Sequence, residues 1–186
     1  LLITCMKAKR FKSDITSFEY LPNELFAEII SYLSDVDTVY AFSRLNQRYQ
    51  LLILEYCRNF DFQSINKIQF DCIIQQHDIL RWKSLRLSND DRTPTQISYF
   101  YQAFPNFQLL TQLKHLSMIN MKPHMHLITL SKLVYFPNLV SLTMGLICGQ
   151  KLPKFHLPNL KSLHINSCMD CQWIAVVFLS SIFSLT

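Results

Sequence analysis

Cys168 and Cys171 have the spacing that comes closest to a chemical motif in this chain. A C-x-x-C pair can supply two of the four ligands of a zinc site or the two thiols of a redox centre. His164 precedes the pair, and Cys148 and His156 are the other candidate donors nearby. Because a closed zinc site usually needs a second such pair, we predict buried cysteines and no metal. A small redox or metal protein is the least favoured hypothesis.

Other catalytic motifs are missing from the sequence. His124 and His126 follow a Met-Lys-Pro segment without a third ligand in pattern, and we expect them to be solvated in a loop. Gly145 and Gly149 are the two glycines of the chain, too few for a phosphate-binding loop or a dinucleotide turn. No nucleophile stands in a G-x-S-x-G elbow. We therefore predict a protein that is not an enzyme and uses no cofactor.

Length and composition indicate a folded chain of one or two domains. The 186 residues are 49% hydrophobic and 13% aromatic, which is enough to bury a sizeable core. The six cysteines lack the density of a disulfide framework, so we expect a reducing compartment, the cytoplasm or the nucleus. The net charge of +5 comes without a basic face interleaved with aromatic residues, which argues against nucleic-acid binding.

The two ends of the chain carry further expectations. Four basic residues between Lys7 and Lys12 favour a solvated leader over a localisation signal, and Met6 is the expected true start. No signal peptide precedes them. The apolar run after Trp173 is shorter than the ~20 residues that span a bilayer. We expect no membrane association and a chain that is truncated within its second half.

The segment from Phe18 to Leu52 predicts three short helices in about 35 residues. Ser34 or Asp35 can cap the second helix, and Asn46 can cap the third, which is expected to continue to Phe60. Helices this short cannot bury all their apolar faces against one another, so surface is left for a partner. The first helix carries two neighbouring apolar stripes: Leu25, Ile29 and Leu33, and beside them Phe26 and Ile30.

These helices carry a Leu-Pro-x-Glu-Leu opening at residues 21–25, an isoleucine four residues later, a Tyr-Leu turn and a final Arg48-Tyr49 pair. This arrangement resembles the F-box. Tyr49 stands where the family usually has tryptophan, and Thr38 where a leucine is common. The resemblance implies docking on a Skp-type adaptor and, through it, on a cullin scaffold. The residues expected to bind the adaptor are Leu21, Pro22, Glu24, Leu25, Ile29, Ile30 and Leu33.

The second half of the chain repeats an apolar pattern, Φ-x-x-Φ-x-Φ, in which Φ is an apolar residue. Its units begin at residues 82, 113, 139 and 160, at intervals of 31, 26 and 21 residues. The closing alternation of each unit is typical of a short strand. Between the first two units, Thr93 to Gln96 predict a helix start with a first-turn proline and a capping-box glutamine. A bridging helix with Phe70, Ile73, Ile74 and His77 on one face precedes them.

This pattern resembles the leucine-rich repeat, in which each unit adds one parallel strand to a horseshoe-shaped solenoid. The family's asparagine position is occupied by Asp90, Met121 and Ile147, and Cys168 alone fits it, so the asparagine ladder is largely missing. A compact α/β domain with coincidental leucine spacing is the alternative. Residues between the strand leucines would face the concave surface, where we expect a protein target to bind. The predicted target-binding residues are Arg86, His115, Ser117, Thr143 and His164, and Ser88 lies in the same outward phase.

The sequence thus predicts an α+β or α/β repeat fold: an F-box at 15–62, then a linker helix and an irregular, truncated leucine-rich-repeat solenoid at 63–186. The corresponding function is substrate recognition in a cullin-based ubiquitin ligase, with the target unknown. The second hypothesis is a repeat scaffold whose helices only cover the end of the solenoid.

Overall fold

The structure, a computed structural model, describes residues 18–63, 65–146 and 157–167. A group of helices leads into a five-stranded, all-parallel sheet whose strands follow chain order. The mixed α/β class with helices between parallel strands is therefore confirmed. The helices are α1 (Asn23–Ser31), α2 (Asp35–Phe42), α3 (Gln47–Tyr56), α4 (Lys67–Gln76), α5 (Gln96–Ala103) and α6 (Pro123–Lys132). The strands are β1 (Asn59–Asp61), β2 (Ser84–Ser88), β3 (His115–Ile119), β4 (Ser141–Leu146) and β5 (Ser162–Ser167).

The three predicted N-terminal helices are present, and polar side chains define two of their starts. The Ser34 hydroxyl accepts a hydrogen bond from the Asp37 amide at 3.0 Å, and the Asn46 side chain accepts one from the Tyr49 amide at 3.1 Å. Each bond satisfies a donor that the first turn of a helix leaves free. Pro22 lies immediately before α1. The cap predictions for the second and third helices are confirmed.

The prediction that the third helix continues to Phe60 is wrong. α3 ends at Tyr56, and Asn59–Asp61 form β1, which pairs with β2 so that Phe60 lies opposite Leu85. Cys57, Phe60 and Phe62 have the same Φ-x-x-Φ-x-Φ spacing as the later units and form an additional unit before the first predicted one. The sheet therefore begins within the segment assigned to the N-terminal domain, before the predicted boundary at residues 62/63.

The inward side of the sheet is one continuous apolar column. The register aligns the central apolar residue of every unit, and each of these side chains is at most 6% exposed. A strand unit of this kind has one buried face and covers the next unit along the chain. The four strands that the repeat predicted are confirmed. The residues of the column are Phe60, Leu85, Leu116, Leu142 and Leu163.

The helices between the strands begin by different means. α4 starts with a capping box between Asn66 and Gln69, and Phe70 and Ile73 on its inner face are buried, as predicted. α5 begins at Gln96, and Thr95 before it makes no side-chain cap, so the predicted start with Pro94 in the first turn is wrong.

Gln96 has a different role from the predicted capping box. Its side-chain oxygen accepts a hydrogen bond from the Ser88 amide at 2.8 Å, and its nitrogen donates to the Phe62 carbonyl at 2.7 Å. The side chain is 3% exposed. Gln96 therefore joins the end of β2 to the residue that follows β1.

The Pro-Asn pairs before β4 and β5 form a side-chain ladder at the edge where the strands begin. Asn138 donates to the Thr111 carbonyl at 2.8 Å, and Asn159 donates to the Pro137 carbonyl at 2.8 Å. Each asparagine thus donates a hydrogen bond to a turn carbonyl of the preceding unit. Such a carbonyl needs a partner when the next turn stacks on it and displaces water. Contacts between neighbouring turns therefore occur at this edge as well as at the opposite one, where the leucine-rich-repeat pattern places its asparagine and where Asn89 donates to the Asn120 carbonyl at 3.1 Å.

The expectation that His124 and His126 lie in a loop is wrong for both residues, and the expectation that they are solvated is wrong for His126. Both lie in α6, where His124 is exposed and His126 is 1% exposed. Two positions apart on a helix, their side chains point in different directions. Cys168, Cys171 and the apolar C-terminal run lie outside the described residues, as do the basic leader and Met6. No described helix has the length and apolarity to cross a membrane.

Trp82 joins the helical group to the sheet. Its ring is fully buried and stacks on Phe60 with 4.5 Å between centroids. The indole Nε1 donates a hydrogen bond to His77 Nδ1 at 3.0 Å, which fixes the neutral imidazole with its proton on Nε2. Burial lowers the pKa of His77 below its ordinary value of 6.5. The helices and the strands therefore share a single apolar core.

Asp35 makes a second connection between the helices and the sheet. Its carboxylate lies in the first turn of α2 and accepts hydrogen bonds from the backbone amides of Arg58 and Asn59, the first at 2.6 Å. Burial raises the pKa of Asp35, while the two amide donors act in the opposite direction. The start of α2 is thereby tied to the start of β1.

We predict that acidification destabilises the fold through His77. An unfolded histidine takes up its proton near its ordinary pKa of 6.5, whereas His77 in the fold does so only at lower pH. Below pH 6.5 the unfolded state therefore binds more protons and stability falls. Protonation of Nδ1 also removes the acceptor for Trp82. Thermal unfolding followed by circular dichroism between about pH 7.5 and about pH 5.5 should show a falling midpoint.

The matched variants are His77→Gln and His124→Gln. The first should make the dependence of the midpoint on pH less steep, with the remainder due in part to His126, whose pKa is also lowered by burial. The second changes an exposed position of α6 and should leave the slope as in the wild type. Equal slopes in the wild type and in His77→Gln would contradict the assignment to His77.

A second prediction concerns Thr38, which is 1% exposed in α2. Among the described residues its hydroxyl has no partner beyond a weak contact with the Cys57 thiol. Because a buried hydroxyl without a good partner costs about 1–3 kcal/mol, Thr38→Val should raise the free energy of unfolding by about 1 kcal/mol. Urea denaturation measures the change. Thr129→Val is the control with the opposite sign, since the buried Thr129 hydroxyl donates to the Met125 carbonyl at 2.8 Å.

Candidate partner-docking surface

The two apolar stripes of α1 face opposite environments. Phe26 and Ile30 are 0% and 7% exposed and belong to the core. Leu25 is 47% exposed, Leu33 just beyond the helix is 40% exposed, and Ile29 between them is half-buried. One stripe therefore holds the helix in place, and the other is presented to solvent.

Neighbouring residues extend the solvent-facing stripe. Tyr32 at the end of α1 is 81% exposed, and Pro22 at its start is exposed as well. Residues three and four positions apart lie on the same side of a helix, so these side chains border Leu25, Ile29 and Leu33. We name Pro22, Leu25, Ile29, Tyr32 and Leu33 the docking face.

The other residues that the sequence assigned to adaptor binding lie differently. Glu24 is exposed in the first turn of α1, Leu21 is half-buried, and Ile30 is buried. In this conformation the Ile30 side chain is not accessible to a partner, because it packs in the core with Phe26. The docking face therefore leaves out Ile30.

An aromatic cluster lies beneath the docking face. The Phe26 ring packs against Tyr49 with 4.5 Å between ring centroids and against Phe42 with 5.4 Å, edge to face. Phe18, before α1, stacks on Phe42 at 5.6 Å. Aromatic pairs at such distances are worth about 0.5–1.5 kcal/mol beyond their buried area. The cluster gives α1 a firm base, which keeps its outer stripe in one position.

Arg48 and Tyr49 hold the chain where it enters α1. Arg48 donates from Nη2 to the Leu21 carbonyl and from Nε to the Asn23 side chain at 2.8 Å. The Tyr49 hydroxyl donates to the Phe18 carbonyl. The basic-aromatic pair is recognisable in the sequence as a motif, but its role is not, because a contact between residues about 27 positions apart leaves no periodic signal.

The outward side of the sheet is a second candidate surface, and its residues are mainly polar. Arg86, His115, Ser117 and Thr143 line a shallow depression of about 540 Å³, and His164 lies next to Thr143 on β5. The structure thus brings the predicted target-binding residues to one face. Ser88, which was expected on the same face, is 1% exposed.

Charge on this face is partly paired. The Arg86 guanidinium lies 3.3 Å from the Asp61 carboxylate on the neighbouring strand. Both side chains are about half exposed, at 41% and 53%, so solvent screens the pair strongly. The hydroxyl and imidazole groups around it remain as hydrogen-bonding groups.

The described residues contain no group of three or more histidine, cysteine or acidic side chains that could hold a metal ion. The C-x-x-C pair lies outside them, so its chemistry stays a prediction. Comparison with family models, with curated proteins and with solved structures found no match.

We predict that Arg48→Met loosens the entry to α1 without unfolding the chain. The variant removes the donors to the Leu21 carbonyl and to Asn23, and hydrogen bonds from a charged group contribute about 1.5–3 kcal/mol. Amide hydrogen exchange over residues 18–26 should become faster, while the far-ultraviolet circular dichroism spectrum is retained. Arg81→Met, on an exposed turn before β2, is the control and should leave the exchange of residues 18–26 unchanged. Unchanged exchange in Arg48→Met would refute the role of Arg48.

Proposed function

We propose that the chain is a substrate-recognition subunit of a cullin-based ubiquitin ligase. In this proposal residues 18–60 form an F-box that docks on a Skp-type adaptor, and the strand units form a leucine-rich-repeat solenoid that holds a protein target. Catalysis resides in partner subunits, and this chain raises the local concentration of the target beside them.

The observation that carries the proposal is the exposed docking face on a helix whose opposite side is locked into the core. Leu25 and Leu33 are 47% and 40% exposed although they are large apolar residues. Contiguous apolar surface of this kind is typical of protein-binding sites. The Leu-Pro-x-Glu-Leu opening that resembles the F-box lies at the same place, so the resemblance and the exposure favour the same helix.

The regularity of the sheet supports the second part of the proposal. Five Φ-x-x-Φ-x-Φ units, including the one at Cys57, stack in chain order with the same register. Each contributes its outward residues to a single polar face. A face built from repeated units suits recognition of a macromolecule, because it is extended and shallow.

Co-expression of the full chain with a Skp-type adaptor, followed by size-exclusion chromatography, tests the proposal. We expect a one-to-one complex. Leu25→Gln/Leu33→Gln should weaken it by about tenfold or more, because full burial of one leucine side chain contributes about 1.5–3 kcal/mol and each of these leucines has a little under half of its surface left to bury. Both side chains are exposed in the free chain, so the variant should retain the wild-type circular dichroism spectrum.

The matched control is Ile68→Gln/Val134→Gln, which changes two exposed apolar residues, 74% and 65% exposed, on α4 and on the turn after α6. It should bind the adaptor as the wild type does. A folded wild-type chain that elutes apart from the adaptor would refute the ligase proposal and leave the scaffold hypothesis, in which the helices only cover the end of the sheet.

A further inference from the structure

The positions immediately before the strands form a column of basic residues. The carbonyl of Arg58 accepts hydrogen bonds from the amides of Lys83 and Ser84, at 2.8 and 3.1 Å. The carbonyl of Lys83 accepts from Lys114 and His115 in the same way, at 2.8 and 3.0 Å. This repeated hydrogen bond makes the residues that immediately precede successive strands neighbours, along the side of the sheet where the strands begin.

The column continues to the last described strand. The Lys114 carbonyl accepts from the Val140 amide at 2.7 Å, and the Val140 carbonyl accepts from the Lys161 amide at 2.8 Å. Four of the five positions are therefore basic. We name Arg58, Lys83, Lys114 and Lys161 the basic edge. With about 4.8 Å between strands, it extends over about 19 Å, the length of about six residues of extended chain.

The lysines of the basic edge are available for a partner. Lys114 and Lys161 are exposed and Lys83 is half-buried, and none of the three forms an ion pair with a described residue. Arg58 differs from the three lysines because it already has partners within the chain. Its Nε donates a hydrogen bond to the Glu55 carbonyl, and its backbone amide donates one to the Asp35 carboxylate. The accessible charge is thus concentrated on β2, β3 and β5.

The distribution of acidic residues reinforces this asymmetry. Residues 1–91 contain eleven basic and twelve acidic residues, whereas residues 92–186 contain seven basic residues and one acidic residue, Asp170. Apart from Asp170, the later strand units therefore have no carboxylate in their own segment that could neutralise Lys114 and Lys161. On the outward face beside the edge, Asp61 is the acidic side chain, and it is paired with Arg86.

We propose that the basic edge and the outward face beside it bind an acidic, extended segment of a protein. Carboxylates of such a segment would pair with Lys83, Lys114 and Lys161, and the hydroxyl and imidazole groups of the adjoining rows would donate hydrogen bonds to it. The only rings in the described outward rows are the imidazoles of His115 and His164, and no phenylalanine, tyrosine or tryptophan lies there for bases to stack on, which favours a peptide over single-stranded nucleic acid. The inference deepens the target-binding part of the proposed function and rests on it for the identity of the partner as a target.

Fluorescence anisotropy with the full chain and labelled peptides tests this inference. The probe is an extended peptide of about ten residues, in which glutamate alternates with serine, and its neutral counterpart has glutamine in place of glutamate. The wild type should bind the acidic peptide about tenfold more tightly than the neutral one, since three exposed ion pairs each contribute about 0.2–1 kcal/mol. The preference should shrink as salt is added.

The test variant is Lys83→Gln/Lys114→Gln/Lys161→Gln, and it should lose the tenfold preference. The matched control, Lys67→Gln/Arg92→Gln/Lys122→Gln, removes the same charge away from the basic edge and should keep the preference to within about twofold. Equal losses in both variants would mean that net charge alone attracts the peptide, which would overturn the proposal. Tighter binding of a single-stranded oligonucleotide of the same charge would overturn it as well.

The adaptor experiment separates this inference from the proposed function. The basic-edge variant should still form the adaptor complex, because its substitutions lie on the sheet and not on α1. Peptide binding that follows the basic edge without any adaptor complex would retain the binding surface and refute the ligase role. An adaptor complex without selective peptide binding would retain the ligase proposal and refute the basic edge as a binding surface.

Discussion

The fold depends on the requirement that each strand unit bury its apolar side against the next. A unit of about 25 residues that contributes one short strand cannot form a core alone. The column from Phe60 to Leu163 meets this requirement by placing one large apolar side chain from each strand directly above its neighbour. The register of the strands in turn fixes the positions of the helices and Pro-Asn turns that connect them.

The first unit needs a cover on its free side, and the N-terminal helices supply it. Phe60 packs beneath Trp82 and against His77, while Asp35 fixes the beginning of β1 from the helical side. The helices are therefore structurally required whatever else they do. The exposed stripe on α1 is the part of them that this covering role does not explain, and for that reason it is the surface on which a proposal of binding can rest.

Four of the five described strands could be predicted from the sequence, and β1 could not. A strict Φ-x-x-Φ-x-Φ spacing marks four strands, because side chains alternate along a strand and the pattern has no other simple explanation. β1 was missed because Tyr49, Ile53, Tyr56 and Phe60 also fit a helical period, and only pairing with a strand 25 residues away decides between the two. Local periodicity does not contain that information.

The sequence predicts that α1 carries apolar residues for a partner, but not which of its two apolar stripes is exposed. α1 carries two apolar stripes of similar strength, and sequence alone does not say which one faces the aromatic cluster around Phe26. The prediction therefore included Ile30 with Leu25, although Ile30 is buried in the same core as Phe26. The basic edge was missed for a related reason: its lysines are scattered in the sequence and become neighbours only through the register of the sheet.

The sequential order of the strands has a kinetic consequence. Each described strand pairs only with its neighbours in chain order, so no pairing in the described sheet joins residues more than 31 positions apart. Closing a loop of this length costs less entropy than closing one that spans most of the chain. We expect folding to start where the aromatic contacts are densest, around Trp82, and to add units one after another. Each folded unit then supplies the strand and the apolar surface against which the next unit pairs and packs.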